Sequence, residues 1–184
     1  MSHSIEVPDD LFSRLQKHAI PFVDTPISVI ERALEALEAG DKDPEDLRKE
    51  GAPRTFNPAA IPDLKFTSVL SASIDGKALK KGECYWNTIM LRTIAAAAKQ
   101  GSPTQDILDL LTVNSERGER DDSGYKFVSE ANLSIQGQES NAAWRQAYTI
   151  ASSFGIEIEL VFAWQDHPKA AMRNQQGSLF VGGK

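Results

Sequence analysis

Cysteine and histidine are scarce in this sequence. The single cysteine, Cys84, excludes an intramolecular disulfide and any metal site built from several cysteines. Because no histidine lies near it in sequence, the pattern favours a small buried side chain over a reactive thiol. No apolar run reaches the roughly 18 residues of a membrane-spanning helix, and the start MSHSIEVPDD lacks the basic region and apolar core of a signal peptide. We therefore expect a cytoplasmic protein with no membrane contact.

Motifs of catalysis and nucleotide binding are also missing. Neither Gly-x-x-x-x-Gly-Lys nor Gly-x-Gly-x-x-Gly occurs, and His-Glu-x-x-His and Gly-x-Ser-x-Gly are absent. His167 beside Asp166 is the sole candidate base in the carboxy-terminal part, and no nucleophile motif accompanies it. Glu157 and Glu159 share one face of a predicted strand and leave a metal-dependent nuclease open, although exposed strand carboxylates usually serve solubility. We predict no catalytic residue, no metal site and no cofactor.

The acidic excess of the chain is confined to its amino-terminal third. The 184 residues are 41% hydrophobic and 25% charged, a composition typical of folded domains. Residues 1–63 contain 13 Asp or Glu and 7 Lys or Arg, whereas residues 64–184 contain 13 of each kind. A segment that held DNA mainly through its phosphates would be basic. We therefore expect no strong DNA contact from the first 63 residues.

The first 38 residues show the pattern of a short strand and two short helices. Residues 4–7 alternate polar and apolar side chains, and Pro8 followed by two aspartates opens a helix. Pro21 ends that helix, and a second one follows Asp24-Thr25-Pro26 and ends at Gly40. A unit this small buries too little surface to fold alone. We predict a homodimer whose contacts are Ile5, Val7, Ile30 and Leu34.

The segment SIEVPDDLFSRLQKHAIPFVDTPISVIERALEAL, residues 4–37, resembles the ribbon-helix-helix family of the Arc and MetJ repressors. In that family two strands pair across a twofold axis and enter the major groove. The Ile-Glu-Val strand followed by acidic residues resembles more closely the amino-terminal domain of the bacterial replication-sequestration protein. This resemblance implies a unit for self-association, a separate carboxy-terminal domain that reads DNA, and a bacterial regulator of transcription or replication.

The side chain of Glu6 is informative about whether the strand contacts DNA bases or serves only in dimerisation. If the apolar residues of the strand face the helices, Glu6 faces outward, where repressors of this fold contact bases. A carboxylate can accept a hydrogen bond from cytosine, but no adjacent Arg or Lys supports its approach to the phosphates. We therefore favour dimerisation without direct DNA reading. Thr25 and Ser28 are interpreted as helix caps, with a phosphate clamp as the alternative.

The remainder of the chain is predicted to be a linker, residues 39–63, and a mixed α/β domain, residues 64–184, so that the whole chain is of the α+β class. The domain is predicted to contain helices at 85–99, 102–111 and 141–154, strands at 66–74, 125–128, 133–135 and 156–164, and a turn at Asp75-Gly76. The strand at 156–164 is expected to be the last, and the polar tail 167–184 is expected on the surface. Three tryptophans are expected in the core: Trp86, Trp144 and Trp164.

Two features of this domain are candidate DNA contacts. The first is a group of lysines beside the predicted turn, for which a solvated hairpin tip is the alternative: Lys77, Lys80 and Lys81. The second is a junction where amide side chains, which can read adenine edges, meet the unpaired donors of a helix start. An ordinary helix cap on a polar loop is the competing interpretation. The residues of this junction are Gln136, Gln138, Asn141 and Arg145.

Two hypotheses of function follow. In the first, the chain is a dimeric, DNA-associated regulatory protein whose carboxy-terminal domain contacts duplex DNA or a regulatory ligand. In the second, it is an adaptor or assembly protein that presents this domain to a protein partner. The first hypothesis leans on the resemblance, because the overall charge gives it little support. The salt dependence of binding to duplex DNA discriminates between them.

Overall fold

The structure is a computed structural model of the chain and describes residues 7–9, 11–13, 29–30, 53–120 and 122–183. Over residues 53–183 it contains helices together with one mixed and one antiparallel sheet, so the α+β class is confirmed. The strands are β1 (Arg54–Thr55), β2 (Thr67–Ile74), β3 (Lys77–Ala78), β4 (Ser115–Arg117), β5 (Tyr125–Val128), β6 (Leu133–Gln136), β7 (Ile158–Trp164) and β8 (Gln176–Val181). The helices are α1 (Trp86–Lys99), α2 (Thr104–Leu110) and α3 (Ser140–Phe154), and a 3-10 helix spans Lys81–Glu83.

The strands form a five-stranded and a three-stranded sheet. The larger sheet has the order β1-β8-β7-β2-β3, with β1 parallel to β8 and the other pairs antiparallel. A bulge shifts the register of β2 on β7 between Val69 and Ser71. The smaller sheet has the order β4-β6-β5. Strand β4 lies in a charged stretch that the sequence pattern assigns to a loop, and its pairing with β6 supplies the hydrogen bonds that make it a strand.

The two long helices pack on each other and on the larger sheet through the apolar stripes that the sequence predicts. Ile89, Met90 and Ile94 of α1 are fully buried. Helix α3 ends at Gly155, whose φ of 68° is the left-handed conformation that glycine adopts without strain. On α3 the side chains of Trp144, Ala147 and Ala151 are buried and that of Tyr148 is partly buried. Within the described residues, no helix has the length and hydropathy needed to cross a bilayer.

The tail of the chain contains a strand that the sequence analysis did not predict. Strand β8 lies between β1 and β7, and its side chains Leu179 and Val181 are buried. The expectations of a surface tail and of a last strand at 156–164 are therefore wrong. The glycine that is typical of a loop has a packing role here, because the Phe162 ring lies directly against the backbone of Gly177. A Cβ atom at this position would lie 2.4 Å from Cζ of Phe162.

Residues 53–63, which the sequence pattern places in a linker, pack against the domain. Phe56 lies against the core, and its backbone N–H donates to the Ser178 carbonyl at 3.0 Å. Two buried indoles donate to the same segment: Trp144 Nε1 to the Pro58 carbonyl at 3.0 Å and Trp164 Nε1 to the Asp63 carbonyl at 2.8 Å. The tryptophans are core residues, as predicted, and their N–H groups fasten this segment.

The amino-terminal unit is described at only a few positions. Asp9, residues 11–13 and residues 29–30 are helical, in agreement with a helix that opens after Pro8. Val29 is buried, whereas Ile30 is 36% exposed. The predicted contacts Ile5 and Leu34, the strand residue Glu6 and the caps Thr25 and Ser28 lie outside the described residues, and so does the segment 31–52. The ribbon-helix-helix unit and its dimer remain predictions.

Candidate nucleic-acid interface

The three lysines of the predicted basic group lie at the surface. Lys77, Lys80 and Lys81 are exposed, and none forms a salt bridge within the described residues. Five other cations of the domain form salt bridges: Arg92 with Glu83, Lys99 with Glu130, Arg120 with Glu116 and Asp122, Arg145 with Glu139, and Arg173 with Asp166. The lysine group is therefore available to an external anion.

Lys77 follows a tight hairpin turn between β2 and β3. Asp75 and Gly76 have φ angles of 48° and 70°, the left-handed values of a two-residue hairpin turn, so the predicted turn is confirmed. Asp75 accepts hydrogen bonds from the Glu157 backbone N–H at 3.0 Å and from Gln100 Nε2 at 3.3 Å. Because Gln100 caps the end of α1, the hairpin and Lys77 lie at that end of the helix.

Lys80 and Lys81 lie in the compact turn that leads into the start of α1. Glu83 accepts from the Lys80 backbone N–H at 3.3 Å and contacts Arg92 at 2.6 Å, and the hydrogen bond from Arg92 lowers the pKa of Glu83. Cys84 donates its thiol to the Lys80 carbonyl at 3.4 Å, and burial raises the pKa of this thiol. The turn is internally bonded, and its one carboxylate forms its salt bridge with Arg92 while the positive charge of Lys80 also stabilises it.

The amide side chains of the strand–helix junction mainly make internal hydrogen bonds. Gln136 accepts from Asn114 Nδ2 at 2.6 Å and donates to the Ser123 carbonyl at 3.0 Å. Gln138 Nε2 donates to the Gln136 carbonyl at 2.9 Å, and its Oε1 accepts no hydrogen bond from any described residue. Of these two amides, Gln138 therefore retains an open acceptor, and Gln136 is a structural residue.

Asn141 fastens the segment before β2 to the start of α3. Its Oδ1 accepts from the Leu64 backbone N–H at 2.8 Å, and its Nδ2 donates to Asp63 at 2.7 Å. Hydrogen bonds from the Lys65 backbone and from Asn141 lower the pKa of Asp63. Glu139 caps the helix by accepting from the backbone N–H groups of Ala142 and Asn141 at 2.7 and 3.0 Å. The interpretation as a helix cap is confirmed, and these donors of α3 are occupied by a carboxylate.

The start of α1 contacts the amide junction and directly follows the turn that contains Lys80 and Lys81. Asn87, in the first turn of α1, donates to the Gln138 carbonyl and accepts from the Gln138 N–H, both at 2.8 Å. The hairpin with Lys77 lies near Gln100 at the opposite end of the helix, about 20 Å away at the rise of an α-helix. Lys77 and Gln138 therefore do not belong to one contiguous surface.

Tyr85 and Arg145 complete this end of the molecule. The rings of Trp86 and Trp144 are 6.0 Å apart, so the first turns of α1 and α3 are neighbours. Arg145 follows Trp144 and is 71% exposed, with a distant ion pair to Glu139 at 3.8 Å. Tyr85, directly before α1, is 61% exposed. Five residues lie in the segments that lead into or begin α1 and α3: Lys80, Lys81, Tyr85, Gln138 and Arg145.

Sequence analysis did not single out Tyr85. The sequence pattern placed it at the beginning of a helix whose apolar stripe starts one residue later, and a tyrosine there is normally counted with the core. The signal that could have identified it is its position outside the spacing of Trp86, Ile89 and Met90, four residues after Lys81. Arrangement on the helix, rather than residue type, makes it a surface residue.

The residues considered for catalysis or metal binding make contacts within the fold or lie exposed on a strand. His167 stacks on Phe66 with ring centroids 3.7 Å apart, and its Nδ1 accepts from the Lys169 backbone N–H at 3.1 Å. Asp166 forms an ion pair with Arg173. Glu159 is exposed on β7 opposite Phe180. In the described ranges, no three His, Cys, Asp or Glu side chains converge as metal ligands, so the nuclease hypothesis gains no ligand set.

Comparison with models of protein families, with curated proteins and with solved structures finds no match to this chain.

Proposed function

We propose that the chain is a cytoplasmic, dimeric DNA-associated regulatory protein of bacterial type. Its amino-terminal unit would self-associate as a ribbon-helix-helix, and its carboxy-terminal domain would contact DNA. The resemblance of residues 4–37 supports the dimer. The uneven charge supports the assignment of the DNA contact to the carboxy-terminal domain. The acidic excess lies in residues 1–63, whereas the rest of the chain has equal numbers of acidic and basic residues.

One observation carries the DNA contact: Lys80 and Lys81 are exposed and form no salt bridge within the described residues, although Glu83 lies in the same turn. Glu83 is held by Arg92 at 2.6 Å instead. Two neighbouring exposed cations can neutralise two phosphates and release the counterions of those phosphates, which is the main source of affinity for nucleic acid.

The test is a titration of labelled duplex DNA with the full chain, followed by fluorescence anisotropy across a salt series. Replacing Lys80 and Lys81 with Ala should weaken binding nearly uniformly across sequences and reduce the salt slope by about one unit per lost phosphate contact. The matched control replaces Lys126 and Lys169, which are also exposed and have no salt bridge within the described residues. If the two double variants lost the same DNA affinity, binding would depend only on the total charge of the protein, and the assignment of the contact to Lys80 and Lys81 would be wrong.

Two single variants test which element reads sequence. Gln138→Ala should change the preference among DNA sequences by roughly 1–3 kcal/mol if its open acceptor contacts a base edge. Glu6→Ala should leave binding unchanged or strengthen it slightly, because it removes a negative charge. If Glu6→Ala abolished sequence preference while the Lys80, Lys81 and Gln138 variants bound normally, the amino-terminal strand would be the reading element.

An adaptor or assembly protein is the second candidate, and Phe180 favours it. This residue is 53% exposed on β8, next to Glu159 on the neighbouring strand. An exposed aromatic ring on a sheet is a typical anchor for a protein partner. Absence of salt-dependent DNA binding near physiological salt would favour this candidate over the first.

A further inference from the structure

Tyr85 is the most exposed of the large hydrophobic side chains in the described part of the chain, at 61%. Its ring makes no aromatic contact and receives no cation from any described residue. An aromatic ring left in water beside a well-packed core forgoes the free energy of burial. The ring is therefore a candidate contact for a flat apolar group outside the protein.

The backbone around Tyr85 is fixed from both sides. Its N–H donates to the Glu83 carbonyl at 2.9 Å, and its carbonyl accepts from the Ile89 N–H at 3.0 Å as the first bond of α1. Trp86, the next residue, is buried and donates to Thr67 Oγ1 at 2.9 Å. A ring presented from such a position loses little backbone freedom on binding, because the turn is ordered beforehand.

The charges beside the ring determine the kind of partner. Lys80 and Lys81 lie five and four residues before Tyr85 in the same bonded turn, and the acidic group of that turn forms its salt bridge with Arg92. A flat ring close to exposed cations suits a base with its neighbouring phosphates. In duplex DNA the faces of the bases are stacked on one another, so only an unpaired base can offer its face to Tyr85.

We propose that Tyr85 stacks on an unpaired base while Lys80 and Lys81 contact the adjoining phosphates, so that the preferred partner is single-stranded nucleic acid or DNA with unpaired bases. This inference rests on the proposed function, because it assigns the chemical form of the nucleic acid that the same lysines contact. Stacking on an aromatic ring tolerates different bases, so the preference concerns strandedness rather than sequence.

The experiment compares a labelled oligothymidine strand with a duplex of the same length, using the full chain and anisotropy at several salt concentrations. Tyr85→Ala should weaken binding of the single strand by about five-fold to about one hundred-fold and leave duplex binding unchanged. Tyr85→Phe keeps the ring and should bind like the original protein. Phe180→Ala is the control, since it removes another exposed ring, 53% exposed, whose partner on the neighbouring strand is the acidic Glu159.

The outcomes separate this inference from the function on which it rests. If the Lys80 and Lys81 variants lose affinity while Tyr85→Ala binds the single strand normally, the stacking contact is wrong and the phosphate contact stands. Equal losses of single-strand and duplex binding in Tyr85→Ala would also contradict stacking on an unpaired base. Absence of salt-dependent binding to either nucleic acid would overturn both proposals.

Discussion

At the scale of single residues, the ion pair of Lys99 and Glu130 makes the stability of the domain depend on pH. Lys99 Nζ lies 2.8 Å from Glu130 Oε1. The hydrogen bond from Lys99, followed by that from the Glu130 backbone N–H, lowers the pKa of Glu130 from its ordinary 4.5 to about 2. A carboxylate whose pKa is lower in the folded state stabilises the fold above its unfolded pKa, and this contribution is lost as the pH falls through the folded value.

Glu130→Gln should therefore lower the free energy of unfolding at neutral pH, and the difference from the original protein should disappear between about pH 4.5 and about pH 2. The expected size is about 1 kcal/mol or less, because the Lys99 side chain is 62% exposed and water screens the pair. Urea unfolding at a series of pH values measures it. Glu119→Gln, an exposed position without a salt bridge in the described part, is the control. A deficit that stayed constant down to pH 2 would exclude the ion pair as its cause.

The contacts of single polar residues could not be predicted from the sequence. Residue type and spacing correctly placed Gln138 and Asn141 at a strand–helix junction. They could not show that Asn141 binds the Leu64 backbone, 77 positions earlier, or that Asn87 binds Gln138, 51 positions later. Such bonds depend on how distant segments meet, which no local pattern contains. Asn141, one of the predicted DNA contacts, consequently has its side chain engaged in hydrogen bonds within the fold.

At the scale of elements, helices were easier to predict than strands. The apolar period of α1 and α3 extends over several turns, so each helix carries its own signal, and the predicted bounds lie within one residue of the observed ones. Strand β1 has only two residues, and β8 contains a glycine. They are strands because β7 and β8 offer them hydrogen-bonding partners, a condition set by the fold rather than by their own residues.

The packed segment 53–63 provides a test at this scale. A chain that begins at Leu64, the boundary expected from sequence, lacks β1 and Phe56 and leaves the indoles of Trp144 and Trp164 without their acceptors. We expect it to be less stable than a chain beginning at Pro53 by about 3 kcal/mol or more, since an apolar side chain and two buried hydrogen bonds are lost. Thermal unfolding followed by tryptophan fluorescence compares the two. Identical transitions would show that the segment adds nothing to the fold.

At the scale of the whole molecule, we predict that the chain consists of two parts with different means of burying apolar surface. The part described over residues 53–183 has a core of its own that includes the buried rings of Trp144, Phe162 and Trp164. The predicted amino-terminal unit of 38 residues is below the size at which a chain usually forms a sufficient core. The first part should fold alone, and the second should fold only with a partner.

Removal of residues 1–38 should therefore leave a folded monomer, whereas the full chain should be a dimer. Light scattering after size exclusion gives the mass, and circular dichroism confirms the fold. Replacing Leu34 with Asp should also yield a monomer, because it places a charge in the predicted contact. Phe180→Ser, which changes an exposed residue of β8, should leave the dimer intact. If the shortened chain still had the mass of a dimer while Phe180→Ser became monomeric, the dimer interface would lie on the larger sheet. That result would contradict dimerisation through the ribbon-helix-helix unit and would support the adaptor hypothesis, because the exposed sheet face would then be a protein-binding surface.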